Sequence, residues 1–379
     1  MTLRGARVAL SARRAGRMDI AIGGGVIRSM GQVGGGRGID CSGYLVLPGL
    51  INAHDHLEFN LFPRLGNGPY RSAGEWARDI HRSFRQSIRR VLRVPLADRL
   101  LWGGIKNLLS GVTTVCHHNP WHRLFGKHFP VRVLRAFSWG HSLEFERDLR
   151  ARHARCPAAR PFIFHAGEAT STVARQEMEQ LDGLGLFAPN AVMVHAVGLA
   201  PRWTARARER GCNVVWCPSS NLFTLGRTLP RRVLSSGLPV ALGTDSALTA
   251  QGDMLDELRV ARAASHLGTE RLYRMVTDIA AQVLRLKRGE GTLRPGGVAD
   301  LVFFRDDGHT PADTLLASRP EAALVAGRLE FATPEFAAAW PGLPSRPPRI
   351  AVNGRTFFLR RNAPAMAAGL ALAGRQVTS

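Results

Sequence analysis

Four stretches of the chain place a histidine or a carboxylate at the end of an apolar run. They are Val46-Leu-Pro-Gly-Leu-Ile-Asn-Ala-His54-Asp-His56, Phe162-Ile-Phe-His165-Ala-Gly-Glu168, Val192-Met-Val-His195 and Val240-Ala-Leu-Gly-Thr-Asp245. A short apolar run bounded by turn residues reads as a buried parallel strand. Side chains just past the C-terminal ends of such strands converge at the mouth of a β/α barrel. Three to five nitrogen and oxygen ligands meeting there make a metal site of the open, catalytic kind. His54 and His56 are two apart on extended chain, so both fall on one face and could grip one ion. Each signal is weak alone. A lone His-x-His is common, His165 and His195 could be hydrogen-bonded barrel histidines, and Asp245 could cap a helix. Together, in this order, they point to hydrolytic metal chemistry.

The elements that would carry these residues alternate. Strands are expected at 46–53, 112–117, 131–138, 161–165, 191–195, 213–217 and 239–244. Helical patterns lie between most of them, at 73–93, 98–110, 173–184, 202–210, 255–267 and 270–286. Such alternation signals βαβ units and a parallel sheet. The count is seven strands rather than eight. Only about 22 residues separate the run at 131–138 from the strand ending in His165. Either one unit is trimmed or Gly140–Phe145 holds a short fourth strand. Residues 1–45 and 291–362 carry short β-like runs, with an Asn353-Gly354 hairpin signal. These ends are expected to pair into one small domain beside a barrel at 46–290. An Ala-rich tail, 363–379, is expected to be loosely held.

The whole chain sets bounds. Its 379 residues, 45% hydrophobic and 21% charged, suit a globular protein larger than one small domain. There is no apolar run long enough to span a bilayer and no secretory start. Five scattered cysteines without a Cys-x-x-Cys suggest thiols in a reducing compartment, so a cytoplasmic location is expected. The net charge is +22, but of 51 basic residues only Lys106, Lys127 and Lys287 are lysine. That ratio suggests genomic bias rather than a polyanionic partner, and nucleic acid is not the expected ligand. The densest basic stripe, Arg78, Arg82, Arg85, Arg89 and Arg93, reads as the solvated face of one amphipathic helix. Ser72 and Glu75 would form a capping box at its start.

Taken as motifs, these segments resemble the amidohydrolase superfamily, in its cytosine deaminase and ATZ–TRZ-like branch. The matching pieces are Pro48 to His56, His165-Ala-Gly-Glu168, His195-Ala-Val-Gly-Leu199, Cys217-Pro-Ser-Ser-Asn221, Leu242-Gly-Thr-Asp-Ser246 and Gly291 to Val302. The resemblance implies an α/β fold, a distorted (β/α)8 TIM-like barrel carrying a composite β-sandwich built from the terminal segments. It implies that His54, His56, His165 and Asp245 hold one divalent ion. Zinc is the first choice, with iron or manganese as alternatives. Two-ion members use a carbamylated lysine on the fourth strand, and none of the three lysines fills that place. The implied mechanism has the ion acidify a bound water. Asp245 takes its proton, His195 holds the same water, and Glu168 shuttles a proton to the substrate ring and then to the leaving amine. His118, His141, Trp216 and Asn221 are candidates for substrate contact. The implied reaction is hydrolytic deamination of an amino-substituted nitrogen heterocycle such as a purine, pyrimidine or triazine. Ring-amide hydrolysis or dehalogenation at the same site is the alternative. A non-enzymatic nucleic-acid-binding scaffold is a third, weaker reading. The expected partner is a small-molecule substrate, not a membrane, with homo-oligomerisation left open.

Overall fold

The computed structural model describes residues 1–34, 38–126, 128–341, 343, 348–352, 354–360 and 377–378. The chain begins with β1 (Thr2–Ala9), β2 (Ala15–Gly23), β3 (Val26–Gly31), β4 (Ile39–Asp40) and β5 (Tyr44–Pro48). At its far end come β14 (Leu301–Arg305), β15 (Ala322–Val325), β16 (Arg328–Ala332), β17 (Arg349–Val352), β18 (Arg355–Leu359) and β19 (Val377–Thr378). Among the described residues these two sets form one eleven-stranded sheet, ordered β19-β17-β18-β16-β15-β14-β5-β1-β2-β3 with β4 beside β1. The antiparallel β5–β14 ladder, Tyr44 to Pro48 against Arg305 to Leu301, joins the chain's two ends. The hairpin expected around Gly354 is present as β17–β18. Asn353 and the Ala-rich tail, apart from β19, lie outside the described residues.

Between the ends, the described residues form eight parallel strands. They are β6 (Leu50–Asp55), β7 (Val112–His117), β8 (Arg132–Val133), β9 (Ser138–Trp139), β10 (Phe162–Ala166), β11 (Ala191–His195), β12 (Asn213–Trp216) and β13 (Val240–Leu242). They form two ladders, β6-β7-β8 and β13-β12-β11-β10-β9. A single bridge between Asp55 and Asp245 links β6 to the end of β13. The single strand expected at 131–138 is divided. Its start pairs with β7 and its end with β10, with no helix between. Gly140–Phe145 is not a strand, so the short spacing reflects a trimmed unit.

The expected strand at 46–53 also divides, at Gly49. A Cβ there would lie 2.1 Å from Thr113 Oγ1, so only glycine lets the chain pass from the terminal sheet into β6. Helices fill the connections: α1 (Ala73–Ser83), α2 (Arg85–Leu92), α3 (Leu96–Leu109), α4 (Leu149–Arg155), α5 (Ser171–Gly183), α6 (Pro201–Glu209), α7 (Pro218–Leu225), α8 (Arg231–Leu234), α9 (Met254–Ser265), α10 (Thr269–Met275) and α11 (Asp278–Val283). The single helix expected at 73–93 breaks at Phe84 into α1 and α2. Half of the expected capping box exists. Ser72 accepts the Glu75 N–H, but the Glu75 carboxylate turns instead to the backbone N–H and Nε of Arg71. Ile51, Ile163, Val192, Val194, Val215 and Ala241 on the strands pack with Ile279, Ala280 and Val283 of α11 in one apolar cluster. Among the described residues no helix is long and apolar enough to cross a membrane.

Candidate metal centre

The four strand-end segments converge. On β10, alternation turns Phe162 and Phe164 toward the helical layer and puts Ile163 with the inner cluster, so His165 follows Ile163. On β11 the same rule would send His195 outward with Ala191 and Met193. Backbone strain reverses it: His195 and Ala196 have φ of 72° and 52°. The His195 ring thereby comes 5.4 Å from that of His165. Asp245 also has positive φ, 60°. Left-handed backbone at a non-glycine residue costs on the order of 1–3 kcal/mol and persists only where its surroundings enforce it. Here the enforcement is visible. Asp245 N–H donates to His54 O at 3.1 Å, and His56 N–H donates to Asp245 O at 2.7 Å.

His54 Nε2 lies 3.6 Å and His56 Nε2 3.7 Å from Asp245 Oδ1. Single ligand atoms of His54, His56 and His165 lie within 4.8 Å of one another, as do those of His54, His195 and Asp245. The set is buried. Asp245 Oδ2 accepts hydrogen bonds from Ser220 Oγ (2.6 Å) and Thr249 Oγ1 (3.0 Å), so Oδ1 is left facing the histidines. Both ring nitrogens of His54 and Nδ1 of His56 and His165 are buried without a hydrogen-bond partner. Orphaned buried nitrogens are costly. Neutral imidazoles grouped around one carboxylate are the donor set that a divalent cation takes. The residues present therefore fit the ion. Burial holds His54, His118 and His165 below the usual histidine range and lowers His195 to about 3, which keeps the rings neutral. Burial alone would raise Asp245. The histidines facing it, His54 first, outweigh burial and hold the carboxyl well below its ordinary value.

Glu168 Oε2 lies 3.5 Å from His195 Nε2. Burial, reinforced by Asp245, Glu177 and Glu144, pushes its carboxyl well above the usual range. Asn221 Nδ2 sits 2.8 Å from His195 Nδ1 and donates to it, which leaves the ring proton on Nε2, toward Glu168. His118 Nε2 lies 3.0 Å from Gly140 O, and its ring is 4.5 Å from His165. The His141 ring is 4.7 Å from His165, and its Nδ1 accepts the Ser142 N–H. Two of the substrate candidates need correction. Trp216 is fully buried in the main apolar core and donates to Thr228 Oγ1, because alternation on β12 turns it away from the inner face. Asn221 reaches the site through His195.

The sequence reading missed the groups that brace the ligands. Ser220 and Thr249 hold Asp245. Glu177 accepts the Gly167 N–H at 3.1 Å, inside the turn that presents Glu168. Glu257 accepts the Ser219 N–H at 2.8 Å at the start of α7, and burial raises its carboxyl to about 8. Asp55, Asn52, Asn107 and Thr244 form a polar knot behind the histidines. Within the knot, Asp55 meets Asn107 and Thr244 across 52 and 189 positions, a span no local pattern reads.

With this geometry in view, comparison with known proteins is informative. Residues 159–329 match the amidohydrolase family. A 5-methylthioadenosine/S-adenosylhomocysteine deaminase of Syntrophobacter fumaroxidans is 27% identical over 329 residues, covering 70% of this chain and 73% of that protein. Over these stretches the chain is similar in sequence to amidohydrolases. Solved structures share its fold. A zinc-bound adenosine deaminase of Xanthomonas campestris superposes with a TM-score of 0.70 at 18% identity, covering 98% of this chain and 97% of the other. Zinc-complexed atrazine chlorohydrolase of Arthrobacter aurescens gives 0.67 at 20% identity, covering 86% and 94%.

Proposed function

We propose that this protein is a metal-dependent deaminase that removes an exocyclic amine from a nitrogen heterocycle, with aminopurines the first class to test. The observation that carries this is the pairing of a buried, proton-retaining Glu168 with His195, beside the His54–His56–His165–Asp245 cluster. The deaminase named above supports the choice of reaction. The parallel strands are read as a distorted (β/α)8 barrel over 46–290, and the segments 1–45 and 291–362 as its composite β-sandwich.

One ion is proposed, zinc first, held by His54, His56, His165 and Asp245. Lys106 lies on α3 with Nζ donating to Asn60, Lys287 lies beyond α11, and Lys127 is outside the described residues. When bound, the ion supplies Lewis acidity and an acidified water. The chain supplies the rest. Asp245, fixed through Oδ2 by Ser220 and Thr249, presents Oδ1 to accept the proton of the attacking water. His195, its Nδ1 held by Asn221, offers Nε2–H to the same oxygen and to the charge that grows on attack. Glu168 gives its proton to the ring nitrogen next to the attacked carbon; the amine takes the proton that Asp245 drew from water and departs as ammonia, while the new hydroxyl becomes the carbonyl and returns its proton to Glu168. His118 and His141 border the space in which the ring would lie.

Glu168→Gln tests the assignment. It should lower kcat by about 10²–10⁴-fold with metal content unchanged, and wild-type turnover would remove Glu168 from the mechanism. Ring-amide hydrolysis or dehalogenation would use the same residues and is told apart by its ring-opened or halide product.

A further inference from the structure

Asp55 stands between two proposed ligands yet takes no part in their cluster. Its backbone belongs to the bridge with Asp245, and its carbonyl accepts the His118 N–H at 3.0 Å. Its side chain is fully buried and meets four donors. Oδ1 accepts from Asn60 Nδ2 at 2.6 Å. Oδ2 accepts from Asn107 Nδ2 at 2.7 Å, Asn52 Nδ2 at 3.1 Å and Thr244 Oγ1 at 3.1 Å. The donors come from separate parts of the fold. Asn52 is on β6, Asn60 follows the short turn Leu57–Phe59, Asn107 is on α3, and Thr244 precedes Asp245. They are tied to one another as well. Asn52 Nδ2 also reaches Asn107 Oδ1 (2.8 Å) and Thr244 Oγ1 (2.7 Å), and Asn52 Oδ1 accepts the Thr244 N–H (3.2 Å). Lys106 Nζ closes the far side on Asn60 Oδ1 at 2.7 Å.

Four donors facing its two oxygens, with no acceptor among them, suit a carboxylate rather than a carboxamide of the same shape. An asparagine there would bring an NH₂ against other NH₂ groups, and a small apolar residue would take one acceptor from each of the four donors. Burying a charge in this way is expensive unless every lone pair is used. Here both carboxylate oxygens are used. The knot ties the end of β6 to α3 and to the end of β13, the two strands that supply His54, His56 and Asp245.

We propose that Asp55 is a positioning residue for the ion: its carboxylate, held by Asn52, Asn60, Asn107 and Thr244, fixes the pitch of the His54–His56 segment against Asp245. The inference rests on reading those three residues as ligands. Groups behind metal ligands orient them, and their loss typically costs 10–100-fold in affinity.

The test uses the full chain, stripped of metal and reloaded with zinc or cobalt, in wild type, His54→Ala and Asp55→Asn. Zinc affinity, the visible spectrum of the cobalt form and the melting temperature of the metal-free protein are read for each. If His54→Ala binds zinc as tightly as wild type, the ligand reading itself falls. If His54→Ala loses zinc, Asp55→Asn should bind about 10–100-fold more weakly and shift the cobalt bands. The affinity loss should exceed what any change in metal-free melting explains. Unchanged affinity and spectrum overturn the proposal. So does an affinity loss that merely tracks unfolding, with the wild-type cobalt spectrum in the molecules that bind. Should Asp55→Asn not fold, Asn60→Ala withdraws one donor and leaves the other three. A smaller loss and a band shift in the same direction support the proposal, and no change overturns it.

Discussion

Two side chains at the centre are held in the protonation states that the proposed mechanism needs. Burial keeps His195 neutral down to about 3, so acid does not charge it in the ordinary working range. Burial pushes Glu168 the other way, well above a normal carboxylic acid, so it still carries a proton where a surface glutamate has lost it. The sign of the pH dependence follows. Rate should be flat below the raised pKa of Glu168 and fall as pH climbs through it, because the proton donor is then spent. A pH–kcat profile of the metal-loaded enzyme checks this. The alkaline limb should vanish from the residual activity of Glu168→Gln, and its persistence there would assign the limb to another group. Residue types were the most legible part of the chain. Histidine and aspartate after apolar runs announce themselves. Trp216 misled because a strand-end aromatic looks the same from sequence whether it faces the pocket or the core.

At the scale of elements, the site depends on how closely β6 and the end of β13 approach. Gly243 permits that approach. A Cβ there would lie 2.8 Å from His54 Cβ, 2.8 Å from His54 O and 3.0 Å from His54 N, and backbone cannot step aside as a flexible side chain can. Gly243→Ala should therefore cost about 1–3 kcal/mol of stability and lower zinc occupancy, measured by denaturant unfolding and metal analysis. Full occupancy at wild-type stability would show that the two strand ends tolerate separation. Periodicity located β7 and β11 to the residue because each is one apolar run in one ladder. It failed at 46–53 and 131–138, where one extended run serves two ladders. Alternation records burial and not the partner strand, so such a handover is invisible to it. The missing half of the capping box has a local cause: Arg71, four residues before Glu75, takes its carboxylate through its backbone N–H and Nε.

Across the whole molecule, one buried ion pair joins the terminal sheet to the parallel strands. Arg132 of β8 meets Asp300, just before β14, through Nη1 at 2.6 Å and Nη2 at 3.0 Å. Asp300 also accepts the Ala326 N–H at 2.8 Å and lies 3.2 Å from Thr113 Oγ1. Only 3% of the Asp300 side chain is exposed, so its partner could not recover full hydration. Asp300→Ala should destabilise the protein by about 1–3 kcal/mol, since it leaves the partly buried Arg132 guanidinium with Thr114 Oγ1 in place of a carboxylate. Thr113 and Thr114 lie at the start of β7, and none of the proposed ligands is on that strand, so zinc content at low temperature should hold. Denaturant unfolding with metal analysis reads both. The short strands of the two chain ends were legible, and they share one sheet. The ion pair was not legible, because its members are 168 positions apart.

The central claim is tested most directly by ammonia release. Metal-stripped protein, reloaded with zinc, is presented with a panel of aminopurines, aminopyrimidines and aminotriazines, and ammonia is followed with product mass. The account predicts ammonia equal to product for at least one aminoheterocycle, with the amine replaced by oxygen. That release should be abolished by chelation and restored by zinc. Zinc-loaded protein that frees no ammonia from the panel, or that yields ring-opened or halide products instead, would contradict it.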